Sequence, residues 1–194
     1  MNLIFATNNV NKAKEIQHLI GNAFTIKTLA DIGCNEEIIE DGKTLEENAS
    51  IKSNFVFENY HMNCFADDTG LLVEALNGEP GVYSARYAGE QKNADDNMNL
   101  LLKNLNDQSN RKAAFVTIIS LKIKNNEFFF KGELKGQIST HKTGTSGFGY
   151  DPIFIPQGYD KSLAELSLDE KNKISHRAIA FNKLHEFILK NKLS

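Results

Sequence analysis

The residues in this chain best suited to chemistry are two adjacent carboxylates, Asp67 and Asp68, which follow the apolar run Phe65-Ala66 and precede Thr69-Gly70. An apolar strand that ends in charge and a hydroxyl matches the place where α/β folds put their chemistry. Adjacent carboxylates repel each other and are costly there unless a cation or hydrogen-bond donors compensate them. Magnesium suits such a pair, because it takes hard oxygen ligands and tolerates few protein ligands plus waters. The plainer reading is an acid pair in a loop after a strand.

Four other groups could join this pair. Thr7-Asn8-Asn9-Val10-Asn11-Lys12 stands where a first strand turns into a first helix, and helix-end amides with a lysine attract anions. It has none of the glycines of a Walker A or dinucleotide fingerprint. Glu40 lies in an acidic loop from which it could supply a further oxygen ligand to the same metal, and Lys52 could face bound phosphates. In Gly147-Phe148-Gly149-Tyr150-Asp151-Pro152 an aromatic between glycines is placed either to lie against a flat base or to plug the core, and Asp151 can accept from ring N–H groups. Lys171 and the pair His176-Arg177 lie near the start of a last helix, and Arg and His offer donors that suit a 6-oxo purine better than a 6-amino one. The plainer reading of these last residues is surface chemistry.

The elements that must position these side chains follow from periodicity. Leu3 to Ala6 reads as a buried strand, and Ala13, Ile16, Leu19 and Ile20 as one helix face stopped at Gly21. Phe24 to Leu29 alternates as a second strand, and Asp31 to Lys43 reads as a long exposed loop. Thr44-Leu45-Glu46-Glu47 has the form of a capping box, opening a helix to about Tyr60. Cys64 to Ala66 is the strand that delivers the acid pair, Gly78 to Gly81 a turn, and Asn93 to Leu105 a helix. Ala113 to Lys124 and Glu127 to Ile138 read as an antiparallel hairpin turning at Asn125-Asn126. Ile153 to Ile155 is a short apolar segment, Ser167 to Glu170 a second capping box, and Ser175 the N-cap of a last helix to Lys190. Early alternation of strands and helices with late antiparallel strands predicts an α/β fold, a mixed central β-sheet with flanking helices.

A length of 194 residues allows one well-buried core or two small lobes. A net charge of −3 argues against a nucleic-acid partner, because backbone neutralisation requires a basic face. No apolar run is long enough to span a bilayer, so no membrane partner is expected. The first residues read as a strand and not as a signal peptide, and Cys34 and Cys64 are in no metal-like spacing. A cytoplasmic protein in a reduced compartment is the expectation.

Taken in order, these segments resemble the inosine triphosphate pyrophosphatase family, and the resemblance spans essentially the whole chain. It rests on the Thr7–Lys12 hexamer, Glu40-Asp41-Gly42 with Thr44 and Glu47-Asn48-Ala49, and Ala66 to Leu71. It continues through Gly81 to Tyr87, Gly147 to Pro152, Glu170-Lys171-Asn172 and Ser175-His176-Arg177. The resemblance implies a single pyrophosphatase domain over residues 1–194, two lobes enclosing a nucleotide-binding cleft, and a homodimer, for whose contact the apolar surface around Gly81 to Tyr87 is the candidate. It implies Mg²⁺-dependent hydrolysis of dITP, ITP and XTP to the monophosphate and pyrophosphate. Thr7, Asn8, Asn9, Val10, Asn11 and Lys12 would bind the triphosphate together with Lys52. Asp68 would be general base and metal ligand, with Glu40 the other acidic ligand and Asp67 supporting. Thr69, where the family often has serine, would contact substrate, and Phe148, Gly149, Tyr150, Asp151, Lys171, His176 and Arg177 would form the base pocket. Competing readings are a pyrophosphatase for other modified nucleotides, a nucleotide sensor without hydrolysis, and a nucleic-acid-binding module.

Overall fold

A continuous apolar run builds β1 (Asn2–Phe5) and an alternating one builds β2 (Thr25–Thr28), and the two pair in parallel. The structure, a computed structural model, describes residues 2–20 and 25–191. The expected helix stop at Gly21 and the expected strand start at Phe24 lie outside the described residues. Between them in sequence, α1 (Val10–Ile20) buries Ile16 and Ile20, one turn apart. The acidic stretch after β2 is irregular apart from one 3₁₀ turn at Ala30–Ile32.

Helix α2 (Leu45–Tyr60) opens at the expected capping box. The Thr44 hydroxyl accepts from the Glu47 N–H, and the Glu47 carboxylate accepts from the Thr44 N–H. The next strand, β3 (Cys64–Val73), is longer than expected. It does not stop at Ala66, because Leu71 and Val73 beyond the acids are themselves fully buried and Leu71 and Leu72 pair with β4 (Pro80–Gly81). Asp67 and Asp68 therefore stand in mid-strand, where both are buried.

Asn93 caps α3 (Ala94–Asn104) by accepting from the amides of Asp95 and Asp96. Strands β5 (Lys112–Ile123) and β6 (Asn126–Ile138) are joined by two residues, which makes them an antiparallel hairpin. The expected Ile153–Ile155 segment begins as a 3₁₀ turn and becomes β7 (Phe154–Pro156), antiparallel to β6. The second capping box, Ser167 with Glu170, opens α4 (Leu168–Ile174). Ser175 closes α4, its N–H donating to the Lys171 carbonyl, and α5 (His176–Lys190) follows.

The sheet order is β2-β1-β3-β5-β6-β7, with β4 on β3. Parallel pairs (β1 with β2 and with β3) and antiparallel pairs (β3 with β4, β6 with β7) make it the mixed sheet that the alternation predicted.

The chain forms two compact units, each assembled from separate stretches of sequence. The first comprises Met1–Asp68, Thr117–Gly132 and Arg177–Ser194. Its core has two parts, as expected for strands covered on both faces. Leu3, Phe5, Phe65 and Phe181 pack on one side of β1 and β3, and Ile4, Ala6, Cys64 and Ala66 with Val56 on the other. Phe5 and Phe65 stack at 4.5 Å, and each buried ring contributes about 1.5–3 kcal/mol. The second unit comprises Thr69–Val116 and Glu133–His176, with a core of Leu71, Val73, Leu101, Phe115, Ile153 and Phe154. Among the described residues no helix is long and apolar enough to cross a membrane.

Candidate functional site

In the first unit, β3 brings Asp67 and Asp68 to two different environments. The period of two along a strand sends neighbouring side chains to opposite faces. Asp67 meets cations on both oxygens: Lys12 Nζ lies 3.0 Å from Oδ1, and Arg177 Nε lies 3.2 Å from Oδ2. Arg177 also ion-pairs with Glu15 of α1. All of Glu15, Asp67 and Arg177 are buried. Burial alone would raise the Asp67 carboxyl, but Lys12, Arg177 and Lys52 outweigh it and hold the group well below the usual carboxylate range. Burial likewise works against the Arg177 charge, which Asp67 and Glu15 sustain.

Asp68 is arranged otherwise. Its Oδ2 accepts from Asn48 Nδ2 at 3.2 Å, and its Oδ1 lies 3.5 Å from Lys52 Nζ. Lys52 also ion-pairs with Glu40. Burial pushes the Asp68 carboxyl above its ordinary range, and the like charges of Glu40 and Asp67 add to that, against Lys52 and Lys12. Burial disfavours the Lys52 ammonium, but Asp68 and Glu40 overcome it and raise its pKa. Lys12 moves the other way, lowered first by burial and then by Lys52 and Arg177 despite Asp67. The two adjacent acids thus split into a neutralised one and a poised one.

The acidic loop reaches Asp68 through Asn48. The Gly42 N–H donates to Asn48 Oδ1 at 2.9 Å, and the same carboxamide donates to Asp68. A Cβ on Gly42 would meet Asn48 Oδ1 at 2.6 Å, so the loop can close on the helix only with glycine there. Thr7 to Lys12 forms the predicted strand-to-helix turn. Thr7 Oγ1 accepts from Asn9 N, and Asn9 Oδ1 caps α1 by accepting from the amides of Asn11 and Lys12. Asn8, Asn9, Val10 and Asn11 are exposed.

Glu40 and Asp68, from a loop and a strand, converge on one ammonium and offer the hard oxygens that magnesium takes. Asp67 fits this role less well, because both its oxygens are committed to Lys12 and Arg177. Among the described residues no three acids, histidines or cysteines gather as a metal cage. Two protein ligands, completed by water and phosphate, is the arrangement magnesium ordinarily takes.

The second unit holds the other expected residues. Asp151 is buried, and its Oδ2 accepts from the Phe148 N–H at 2.8 Å and from Lys171 Nζ at 2.6 Å. The Lys171 ammonium also lies 4.9 Å from the centroid of the Phe148 ring, a cation–π distance. Gly147 has φ +76°, and a Cβ there would meet Asp151 Oδ2 at 2.1 Å. The glycine is what lets this loop fold over its own carboxylate. Phe148 and Gly149 are half-buried, whereas Tyr150 packs in the core and donates to the Ser84 carbonyl at 2.8 Å. His176 is buried and stacks on Phe115 at 4.7 Å, and Thr69 is half-buried on β3. Asn172, next to Lys171, is buried with neither carboxamide atom paired among the described residues. A buried orphan of this kind calls for a water or a ligand.

The structure thus collects Lys12, Glu40, Lys52, Asp67, Asp68 and Arg177 in the first unit. It groups Phe148, Asp151 and Lys171 in the second, and leaves Tyr150 engaged in the core. Arg177, expected with the base-pocket residues, lies beside Asp67 because two buried carboxylates hold it there. Sequence reasoning passed over Glu15 and assigned no role to Asn48. Glu15 stands one helical turn after Lys12 on α1, the spacing at which side chains share a face.

The model of the Ham1 family matches residues 3–187. The dITP/XTP pyrophosphatase of Flavobacterium johnsoniae is 54% identical, covering 99% of this chain and 100% of that protein. The dITP/XTP pyrophosphatase of Christiangramia forsetii is 52% identical, covering 98% and 100%. Among solved structures, the Staphylococcus aureus Ham1 protein superposes with a TM-score of 0.90 at 38% identity, covering 98% of this chain and 100% of that one. A HAM1 protein from Coxiella burnetii gives 0.90 at 33% identity, covering 98% and 99%.

Proposed function

The chain belongs to the Ham1 family, and from that premise we propose that it hydrolyses non-standard purine nucleoside triphosphates (dITP, ITP, XTP and dXTP) to the monophosphate and pyrophosphate. Such an enzyme keeps these nucleotides out of DNA and RNA. The observation that carries the reading is the splitting of the acid pair. Asp67 is neutralised by Lys12 and Arg177, while Asp68 is pushed upward and held by Asn48 beside Lys52.

Asp68 orients a water and takes its proton as the oxygen attacks the α-phosphorus. A carboxyl raised by burial is a stronger base than an ordinary one once ionised, which suits that step. Glu40 and Asp68 would hold a magnesium ion, which would supply positive charge to offset that of the triphosphate. Lys12 and Lys52 neutralise the triphosphate, and the turn from Thr7 to Asn11 supplies polar groups at the head of α1. Charge grows on the departing pyrophosphate, and these ammonium groups stabilise it.

The base is read in the second unit. It lies against the part of the Phe148 ring that is not buried, and the Lys171 ammonium donates to a 6-oxo group. Asp151 holds Lys171 in place and His176 adds a polar edge. A 6-amino base sets donor against donor, at a cost of about 1–3 kcal/mol. The protein acts as a cytoplasmic homodimer in this reading. Cys34 and Cys64 are both free and buried, in keeping with a reducing compartment. Tyr83, 57% exposed within the Gly81–Tyr87 segment, is the apolar surface offered for the dimer contact. Light scattering that returns a monomer would remove that part.

Hydrolysis of ITP in ¹⁸O-water tests the reaction. Label is expected in the monophosphate, with unlabelled pyrophosphate released. Orthophosphate, or label in pyrophosphate, would overturn attack at the α-phosphorus.

A further inference from the structure

Helix α2 packs on the sheet of the first unit through a seam of polar side chains that the reaction chemistry does not use. Ser53 and Ser120 are both fully buried, and their hydroxyl oxygens lie 2.7 Å apart. Ser120 donates to Glu127 Oε1 at 2.8 Å, and the same oxygen accepts from Ser50 at 2.7 Å. The Ser53 carbonyl accepts from the Cys64 thiol at 3.1 Å, at the start of β3. The seam therefore ties one helix to β3, β5 and β6.

Its neighbours are apolar. Ala49 and Val56, one turn before and one turn after Ser53, are fully buried. Apolar burial is non-directional, so it selects one register less sharply than hydrogen bonds do. Hydroxyl and carboxylate partners at hydrogen-bond distance accept one register, and setting register is the best-attested use of buried polar groups. A slip of one residue moves the helix by about 1.5 Å. On this helix the side chains set by that register are Asn48 and Lys52, both of which meet Asp68.

We infer that Glu127, acting with Ser50, Ser53 and Ser120, is a positioning residue that fixes the register of α2 and so holds Asn48 and Lys52 on Asp68. The inference rests on the assignment of Asp68 and Lys52 to the reaction. Glu127 lies at the start of β6, half-buried, and its carboxylate is engaged by Ser50 and Ser120.

The test is steady-state hydrolysis of ITP by Glu127→Ala, Glu127→Gln, Lys52→Ala and the double variant Glu127→Ala/Lys52→Ala. Glu127→Ala is expected to lower kcat by about ten- to a hundredfold with KM changed less than about threefold, the cost of misplacing a group by about an ångström. Glu127→Gln keeps an acceptor oxygen for the two serines and is expected to restore most of kcat. The Glu127→Ala loss should shrink severalfold in the Lys52→Ala background, since residues acting through one another are not additive. Wild-type kcat in Glu127→Ala, equal losses in the Ala and Gln variants, or full additivity with Lys52→Ala would each overturn the inference. If Glu127→Ala does not fold, Ser120→Ala removes one link of the seam and should show the same pattern at smaller size, with the same outcomes deciding. If Lys52→Ala itself leaves kcat unchanged, the assignment of Lys52 to the reaction is what fails.

Discussion

The acid–cation cluster of the first unit and the Phe148–Asp151–Lys171 cluster of the second are built in opposite ways. The first gathers Glu15, Lys12, Glu40, Lys52, Asp67, Asp68 and Arg177 from five stretches far apart in sequence, and its charges are in mutual contact. The second is mostly local. A loop folds back so that Asp151 accepts from Phe148, three residues earlier, and one buried ion pair holds a cation over a ring. A charge-dense, long-range cluster suits phosphate chemistry, where most of the work is electrostatic. A local aromatic loop with one charge pair suits recognition of a flat, uncharged base. Rate and selectivity are therefore expected to be separable by mutation.

The sharpest break comes from Asp68→Asn. The amide keeps an acceptor for Asn48 but cannot take a proton, so kcat for ITP is expected to fall by about 10²- to 10⁴-fold with the fold intact, as read by pyrophosphate release and circular dichroism. Near-normal turnover would remove Asp68 from its role. Next in size is Asp67→Ala, which strips Lys12 and Arg177 of their shared partner. Removing one member of a buried ion network costs about 3–5 kcal/mol, to be read from urea denaturation. A variant as stable as the parent would show that the network is not structural. Because the Asp67 carboxyl is held low, its stabilising contribution is present above the ordinary carboxylate range and lost as pH falls through its lowered value.

In the second unit, Phe148→Ala is expected to cost about ten- to a hundredfold in kcat/KM for ITP, the value of one base–aromatic stack. A loss confined to kcat would place Phe148 in the chemical step instead. The smallest expected effect is on pH. Burial raises the Asp68 carboxyl in the metal-free protein, so its titration midpoint, followed by NMR without magnesium, should lie above the ordinary carboxylate range. Removing the Lys52 cation, which opposes that rise, should move the midpoint higher still. A midpoint that moved down would contradict the electrostatics.

The elements were legible where local signals agree. Both capping boxes open helices as expected, because Thr44 with Glu47 and Ser167 with Glu170 are self-contained in four residues. The length of β3 was not legible, since two acids read as a strand end when distant Lys12 and Arg177 are unseen. The placement of Arg177 was hidden for the same reason: its partners Glu15 and Asp67 lie 162 and 110 residues away. Asn48 was in view as part of a motif, but its bridge from Gly42 to Asp68 depends on tertiary closure. The Phe148 loop could be read in part, because glycines on either side of an aromatic announce an unusual backbone. Which of the loop's two aromatics enters the core was not, and it is Tyr150 that does.

The division of labour between the two clusters is tested most directly by kcat/KM for ITP and for ATP in the parent, Lys52→Ala and Lys171→Met proteins. Lys52→Ala should lower both values by the same factor and leave their ratio unchanged, because its partners are Glu40 and Asp68, the two acids proposed for the phosphate chemistry. Lys171→Met should lower the ITP-to-ATP ratio by about tenfold, the loss of one donor to the 6-oxo group. A ratio changed by Lys52→Ala, or one left intact by Lys171→Met, would contradict the account.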